Sequence, residues 1–352
     1  MKTEMTMEKK QLIVYLIAAY GITYVMGLLM WYGNRKGIDV SAFPNAQMMY
    51  PAAGVMAAYL LTRREDRQMP KGFFRCFLFL TAVMIAVSVV SVIVPYEISL
   101  PAVGGISIWM LLIQYLLIIG SVVCWVFYFI AGKEKRAAYG LRWGHTKASL
   151  FCILLFVVLY ILRTALSSLL SGQLEYFAVI ILANPYTWIS MFVILLNLVF
   201  TFAAFFGEEY GWRYYLQPLM QKKFGARGGV LLLGIVWGLW HLPVDFFYYS
   251  PQTGLAAAAA QQITCITLGI FFAYAYMKTD NIWVPVILHF LNNNLIAVFS
   301  GNYSADILEN QNILWSQLPA ALLVNVLAFG GFFMAKEFRG VKSKPVAETE
   351  EN

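Results

Sequence analysis

Charged residues are scarce in this sequence. Asp, Glu, Lys and Arg make up 12% of its 352 residues, while hydrophobic residues make up 61% and aromatic residues 16%. A soluble domain carries about twice that charged fraction, so the composition argues against an ordinary soluble fold. The apolar residues fall in runs that reach the roughly 20 residues a helix needs to cross the hydrocarbon layer. The sequence therefore predicts an all-α fold, a polytopic transmembrane bundle of about ten helices.

Cysteine pairs are also missing. The four cysteines sit singly in apolar segments, at Cys76, Cys124, Cys152 and Cys265, and no two of them form a CxxC motif. This spacing indicates neither a disulfide framework nor a thiolate zinc site. Packing inside helices is the role that we expect of all four.

The apolar runs predict ten membrane spans, whose ends are defined to within about four residues. The spans cover residues 11–32, 46–62, 73–94, 104–131, 149–171, 187–207, 229–247, 256–277, 282–300 and 313–335. The second is short for a span, and the fourth is long enough to begin as an interfacial helix or to lie tilted. Residues 175–186 are apolar but too short to cross, so we expect them at the interface or in a re-entrant segment.

The formal net charge of +7 reflects membrane topology rather than a nucleic-acid partner. Lys and Arg are concentrated in alternate loops, namely the N-terminus with Lys2, Lys9 and Lys10, then 63–75, 133–147, 213–227, Lys278 and 336–344. The loops between them carry no basic residue except Arg35 and Lys36. The positive-inside rule then predicts that both termini and the basic loops are cytoplasmic. The expected partner of the helices is the lipid bilayer.

Ionisable side chains inside membrane helices are costly, so each marks a candidate functional site. The first cluster lies at the end of the sixth span. If that helix continues to Pro218, Glu209 and Arg213 are i,i+4 neighbours that can pair and fix the helix. Glu208 is rotated about 100° from Glu209, which leaves it free to face another neighbour. An ordinary interfacial Glu/Arg cluster is the alternative interpretation.

Two further clusters repeat the i,i+4 spacing. Trp237 and His241 lie one turn apart in the seventh span, and Pro243 disrupts the helix beyond them, which favours a polar pocket nearby. His289 and Asn293 lie one turn apart on the ninth helix, where two hydrogen-bonding side chains about 6 Å apart can clamp a carbonyl or an anion. Hydrogen bonding between helices would explain either cluster alone. A carboxylate, two imidazoles and an amide on three helices together indicate a catalytic site.

These side chains fit peptide-bond hydrolysis, in which a water is deprotonated, attacks a carbonyl carbon and creates an oxyanion. Burial suits Glu208 to act as the general base, while His241 can hold the water or pass the proton to the leaving amine. His289 and Asn293 would donate to the oxyanion. We expect no cofactor. Zinc held by Glu208, His241 and His289 is the alternative, because two histidines and a carboxylate are a common ligand set, although no HExxH motif is present.

The three motifs together resemble a known family. The first motif, Glu-Glu-x-x-x-Arg, consists of Glu208, Glu209 and Arg213. The second, aromatic-x-x-x-His, consists of Trp237 and His241, and the third, His-x-x-x-Asn, consists of His289 and Asn293. Their order and spacing are similar to those of the type II CAAX prenyl endopeptidase and bacteriocin-processing (CPBP, ABI) family of intramembrane proteases. The likeness covers about residues 190–300. One departure is Trp237, where the family usually has Phe, but an aromatic wall is retained.

The resemblance implies an intramembrane endopeptidase in which Glu208 and His241 activate the water and His289 and Asn293 form the oxyanion hole. The implied site opens to the cytoplasm. The implied substrate is a membrane-associated protein or peptide, either prenylated or carrying a leader. The family is often described as metalloproteases, whereas its eukaryotic members resemble a metal-free glutamate mechanism, which we expect here.

The motifs suggest three segments along the chain. Residues 1–185 hold N-terminal transmembrane helices without an assigned role, 186–305 the protease core, and 306–352 the last transmembrane helix and a cytoplasmic tail. The expected location is a bacterial plasma membrane.

Two other functions stay open. The first is a transporter, for which intramembrane charge and helix-breaking prolines are equally natural, although the sequence contains no inverted repeat. The second is a non-catalytic immunity or interaction protein, which would keep the fold without depending on Glu208.

Overall fold

The structure, a computed structural model, describes residues 6–100, 104–301 and 307–339. Lys2, the loop at Asn302 and the basic tail beyond Arg339 lie outside the described residues. The chain divides into two compact units. The first contains the described residues up to Arg142 together with Phe200–Tyr215, and the second contains Trp143–Val199 and the described residues from Leu216 onward.

The N-terminal part of the first unit consists of helices and one hairpin. Its elements are α1 (Met7–Leu16), α2 (Thr23–Arg35), α3 (Ala42–Gln47), α4 (Tyr50–Thr62), α5 (Lys71–Ile93), β1 (Glu97–Leu100), β2 (Gly104–Ser107), α6 (Ile108–Ile130) and α7 (Gly132–Ala138). The π-helical segment Ile17–Ile22 joins α1 to α2. Because π-helical turns continue the helix axis, Met7–Arg35 forms one membrane-length segment.

The rest of the chain is also helical. Its α-helices are α8 (Thr146–Leu170), α9 (Leu174–Tyr176), α10 (Pro185–Glu209), α11 (Gln217–Trp240), α12 (Leu242–Val244), α13 (Gly254–Thr279), α14 (Trp283–Phe299) and α15 (Leu318–Phe329). Its π-helical segments are Phe177–Leu182, Tyr210–Leu216 and Asp245–Tyr249, and its 3₁₀ segments are Trp315–Gln317, Gly330–Met334 and Lys336–Phe338.

Seven helical segments of the described residues are long and apolar enough to cross a membrane. They are Met7–Arg35, Lys71–Ile93, Ile108–Ile130, Thr146–Leu170, Pro185–Trp240, Gly254–Thr279 and Trp315–Met334. The segment Pro185–Trp240 contains 56 residues and includes the predicted sixth span and most of the seventh, while α14 is a shorter apolar helix. The predicted all-α transmembrane bundle is therefore confirmed.

Two of the predicted spans differ from the helices that form. The second contains α4, whose 13 residues fall short of the roughly 20 that a straight crossing needs. The fourth begins later than residue 104, because Gly104–Ser107 is a strand that pairs with β1, with Glu97 opposite Ser107. Ser107 then caps α6, since its side chain accepts a hydrogen bond from the backbone N–H of Met110 at 3.4 Å.

The long segment Pro185–Trp240 is not one regular α-helix. Tyr210–Leu216 is π-helical, a geometry in which each N–H bonds to the carbonyl five residues earlier. Gly225 then adopts a φ of 77°, a conformation that costs glycine far less than any residue with a side chain. The chain is non-helical at this residue, which lies between the apolar stretches predicted as the sixth and seventh spans.

Aromatic rings fill the core of the first unit. Tyr15 and Trp212 meet edge to face with ring centres 6.2 Å apart, and Phe73 and Phe206 meet in the same way at 5.7 Å. All four side chains are fully buried. Such pairs contribute about 0.5–1.5 kcal/mol each beyond the burial of their area. The segment Phe200–Tyr215 is therefore held by the N-terminal helices.

An arginine inside a membrane span of the second unit has a polar partner. Arg163 in α8 donates from Nη1 to Oδ1 of Asn325 in α15 at 3.4 Å, and its guanidinium lies 4.4 Å from the ring centre of Tyr160. Intramembrane charges need such neighbours, because apolar surroundings do not solvate them. The contact accounts for a basic residue in the middle of an apolar helix.

Candidate active site

A buried ion pair closes the first motif. Nε of Arg213 donates to Oε2 of Glu209 at 3.0 Å, and neither side chain is accessible to solvent. The two residues are four apart along the chain, as expected from the helical spacing. Because a buried charge is stabilised only by a partner, each of these residues depends on the other.

The neighbouring carboxylate has its own donor. Nε1–H of Trp212 donates to Oε2 of Glu208 at 3.3 Å, and Glu208 is 2% exposed. The sequence indicated a side chain free to face another neighbour, whereas the structure gives Glu208 a partner on its own helix. A hydrogen bond from an indole orients the carboxylate without neutralising it, so Glu208 can still act as a base.

Two glycines let the first motif approach the neighbouring chain closely. A Cβ atom at Gly207 would collide with the backbone of Met48, and one at Gly211 would collide with Pro51. The glycines are four residues apart and flank Glu208, so they lie on one face of the helix. This small-xxx-small spacing, which allows backbones to come together in membranes, fixes the position of the carboxylate in the first unit.

The second motif fixes the tautomer of its histidine. Nδ1 of His241 lies 2.9 Å from the backbone carbonyl oxygen of Trp237, and the side chain is 6% exposed. A carbonyl oxygen can only accept, so in the neutral imidazole the proton is on Nδ1 and the lone pair is on Nε2. His241 therefore presents Nε2 as its acceptor.

Trp237 lies beside both membrane histidines. Its ring centre is 5.9 Å from that of His241 and 5.6 Å from that of His289, the second contact being edge to face. His289 is also 6.0 Å from the ring centre of Phe272 and is 4% exposed. The structure thus brings the second and third motifs together around one indole, within the second unit.

Asn293 occupies the more accessible end of the third motif. It is half-buried in α14, one turn after His289, and its Oδ1 accepts a hydrogen bond from Nδ2 of Asn292 at 3.0 Å. This contact uses the oxygen of the amide, so Nδ2 of Asn293 is the donor that it offers to a ligand. A donor is the group that an oxyanion requires.

A second pair of glycines positions α11 against α13. A Cβ atom at Gly234 would lie 2.8 Å from Cα of Ile266, and one at Gly238 would lie 2.6 Å from Oε1 of Gln262. Nε2 of Gln262 donates to the carbonyl of Gly234 at 3.1 Å. These contacts hold the turn that carries Trp237.

Cys265, for which only a packing role is predicted from the sequence, is a neighbour of His241. Its Sγ lies 3.8 Å from Nδ1 of His241, and the residue is fully buried in α13. The sequence contained one relevant signal, the Gly-x-x-x-Gly spacing that brings α11 and α13 together. Trp212 could have been found in the same way as Glu209 and Arg213, since it is four residues from Glu208.

The described residues give limited support for a metal centre. No group of three or more His, Cys, Asp or Glu side chains among them is placed to hold a metal ion. In the second unit, His241 and His289 supply two imidazoles, whereas a catalytic zinc normally takes three protein ligands.

Comparison with known families gives the central segment an assignment. Residues 188–295 match the model of the family described as type II CAAX prenyl endopeptidase Rce1-like. The predicted family resemblance is confirmed. The Rce1-like match contains all three motifs, from Glu208 to Asn293. Together with the membrane-length apolar helices, it supports an integral, multi-pass membrane protein.

One curated relative supports the same family. CAAX prenyl protease 2 from Methanococcus maripaludis is 26% identical to this chain over 169 residues. The match covers 46% of this chain and 60% of the relative, so the chain spans about three fifths of the length of the relative that it matches. No solved structure matches the chain. At the family level, the comparisons support an intramembrane protease.

Proposed function

We propose that this chain is an intramembrane endopeptidase that hydrolyses a peptide bond of a membrane-associated protein or peptide. The observation that carries the proposal is the Rce1-like match over residues 188–295, because it contains every residue of the three motifs. The name of the relative, CAAX prenyl protease 2, favours a prenylated substrate that ends in a CAAX sequence. A leader-bearing peptide is the other substrate class.

Water activation is assigned to Glu208 and His241. Glu208 takes a proton from water as the new oxygen–carbon bond forms at the substrate carbonyl. When the carbon–nitrogen bond breaks, the proton passes to the leaving amine, with Nε2 of His241 as the group that relays it. The Nδ1 contact of His241 with Trp237 supports this role, because it keeps the lone pair on Nε2.

Oxyanion stabilisation is assigned to His289 and Asn293. Both can donate a hydrogen bond to the negative oxygen of the tetrahedral intermediate, and each such donor contributes about 3–4 kcal/mol in related sites. The burial of His289 strengthens its donation, since electrostatic interactions weaken in water. The Glu209–Arg213 pair has a structural role, which is to hold the turn that carries Glu208.

The orientation of the protein is part of the proposal. The basic loops favour cytoplasmic termini and a site that opens to the cytoplasm, in a bacterial plasma membrane. A label-accessibility assay on single cysteines placed in the basic loops of a cysteine-free background would measure this orientation in whole cells.

Cleavage by the purified full chain is the direct test of the activity. The substrates are a farnesylated CAAX peptide and its unprenylated form, presented in liposomes and analysed by mass spectrometry. We expect cleavage by the wild type and its loss in Glu208→Gln and His289→Ala. The matched controls are Glu175→Gln and His145→Ala, which change the same residue types at exposed positions. Equal processing by Glu208→Gln, His289→Ala and the wild type would refute the proposal.

The alternative zinc mechanism needs a separate measurement. Metal content of the active preparation and its sensitivity to a chelator distinguish the two mechanisms. We expect substoichiometric zinc and activity that survives chelation. The opposite result would be one zinc per chain, with zinc and activity lost together and activity restored by added zinc. That result would favour a zinc mechanism with Glu208, His241 and His289 as ligands.

A further inference from the structure

A basic cavity lies in the first unit, and its lining includes no residue of the three motifs. Its volume is about 480 Å³, and it is bounded by the loop before α5, the start of α5, the end of α6 and the following helix α7. Arg67, Lys71 and Lys135 supply the positive charge of its lining, which also includes Asp66, Phe127 and Ile130. Cavities of this size hold small polar ligands and headgroups.

The single carboxylate in the lining already has two donors. Oδ2 of Asp66 accepts from the hydroxyl of Tyr139, and Oδ1 accepts from the backbone N–H of Gln68 at 2.7 Å. Burial first, and then the hydrogen bond to Asp66, raise the pKa of Tyr139, so its hydroxyl remains a donor. Asp66 is therefore held in place by neutral groups of the protein.

The three cations of the lining form no ion pair with a carboxylate among the described residues. The ammonium of Lys71 donates to the backbone carbonyl of Arg64, which is a neutral acceptor, while Arg67 and Lys135 are exposed. Three cations and one carboxylate leave a formal excess of two positive charges. An anionic ligand would balance that excess.

The cavity lies at the ends of two membrane spans. Lys71 is the first residue of the span Lys71–Ile93, and Ile130 is the last residue of the span Ile108–Ile130. Span ends lie at the headgroup level of a bilayer. The apolar part of the lining remains accessible, since Phe127 is 38% exposed and Ile130 is 72% exposed. A cationic rim beside an apolar surface complements a phospholipid, which has an anionic phosphate above acyl chains.

We propose that this cavity binds an anionic phospholipid, with the phosphate held by Arg67, Lys71 and Lys135 and the acyl chains lying along Phe127 and Ile130. Basic pockets between transmembrane helices bind such headgroups because the ligand stays within reach of the charges in the plane of the membrane. The site is independent of the proposed peptidase reaction and would exist in a catalytically inactive variant.

Lipid titration of the purified full chain tests the proposal. Native mass spectrometry would count adducts of phosphatidylglycerol and phosphatidylcholine on the delipidated wild type, with glycerol phosphate as a headgroup without acyl chains. The site variant is Arg67→Gln, Lys71→Gln, Lys135→Gln. The charge-matched control is Lys9→Gln, Lys10→Gln, Lys133→Gln, which removes three cations of the same unit from positions outside the cavity.

We expect phosphatidylglycerol to bind the site variant at least about tenfold more weakly than it binds the wild type or the control variant. Phosphatidylcholine should bind all three proteins equally and weakly. Because Lys71 contacts the backbone, Arg67→Gln, Lys135→Gln serves as a second variant that leaves this contact intact, and it should lose most of the preference.

Three results would overturn the proposal. Equal weakening in the site and control variants would show a general effect of net charge. Equal affinity of the wild type for the two lipids would show that the cavity does not select anions. Binding of glycerol phosphate as tightly as phosphatidylglycerol would identify a site for soluble phosphate esters instead of a lipid.

Discussion

His241 and Trp237 are joined through one hydrogen bond, in which Nδ1 of the imidazole donates to the backbone carbonyl one turn earlier at 2.9 Å. The bond involves the main chain of Trp237, so it does not depend on the type of side chain at that position. The indole itself contacts both membrane histidines. Residue 237 therefore fixes the tautomer of one histidine with its backbone and packs against two with its ring.

Two amide substitutions at His241 separate the structural role of Nδ1 from the proposed catalytic role of Nε2. The amide nitrogen of Asn overlaps Nδ1, so His241→Asn should keep the bond to Trp237 and the fold but lose about 10²–10⁴ in kcat, because no group replaces Nε2. His241→Gln places a polar group near Nε2 and should lose the Trp237 contact. Peptide cleavage and thermal unfolding in detergent measure the two effects, with His145→Asn as the control. Full activity of His241→Asn would show that Nε2 of His241 takes no part in the reaction.

The Glu209–Arg213 pair gives a prediction about stability. Either Glu209→Leu or Arg213→Met alone should lower the free energy of unfolding by about 3–5 kcal/mol, since each leaves a buried charge without its partner. The double variant should be less destabilised than the sum of the two. Chemical unfolding in detergent measures the cycle.

The control for this cycle is the Lys278–Glu337 pair, whose atoms lie 3.3 Å apart but whose side chains are 27% and 12% exposed. Its single variants should cost less than those of the fully buried pair, about 1 kcal/mol each, because solvent reaches and partly screens the two charges. Strict additivity for Glu209 and Arg213 would mean that the two charges are stabilised by other neighbours and not by one another.

Much of the fold could be predicted from composition and helical spacing. Apolar runs locate membrane helices because the hydrocarbon layer sets their length, and i,i+4 spacing places Glu209 beside Arg213 because an α-helix has 3.6 residues per turn. The same spacing places His289 and Asn293 on one face. These are local rules, and the hydrogen bond between Glu209 and Arg213 agrees with them.

Features that depend on contacts between distant segments could not be predicted. The approach of Cys265 to His241 depends on the packing of α11 against α13 through Gly234 and Gly238. The π-helical turn at Tyr210–Leu216 has no separate signal in hydrophobic periodicity. The catalytic roles of the motif residues stay predictions, because they depend on a substrate that neither spacing nor packing describes.

Alanine substitutions at the close-packed glycines should be costly. Gly211→Ala introduces a Cβ into space occupied by Pro51, and Gly234→Ala introduces one 2.8 Å from Cα of Ile266. We expect a loss of about 1–3 kcal/mol in stability for each, together with reduced cleavage as the motif turns shift. Gly331→Ala is the control, because a Cβ there meets no atom within 4 Å. If Gly211→Ala or Gly234→Ala were as stable as Gly331→Ala, the neighbouring backbone could move apart without loss of stability.

Asp245 is a buried acid whose role can be decided by one isosteric change. It is 1% exposed, lies one turn after His241, and its Oδ2 has no hydrogen-bond partner among the described residues. An unsatisfied buried polar atom costs about 1–3 kcal/mol, and an ionised one costs more. Asp245→Asn keeps the volume with a neutral amide, so we expect equal or higher stability, by about 1 kcal/mol, with cleavage unchanged. Asp245→Ala should instead be destabilising, because it leaves a cavity. Thermal unfolding and peptide cleavage measure both variants, and a folded but inactive Asp245→Asn protein would add this carboxyl group to the catalytic residues.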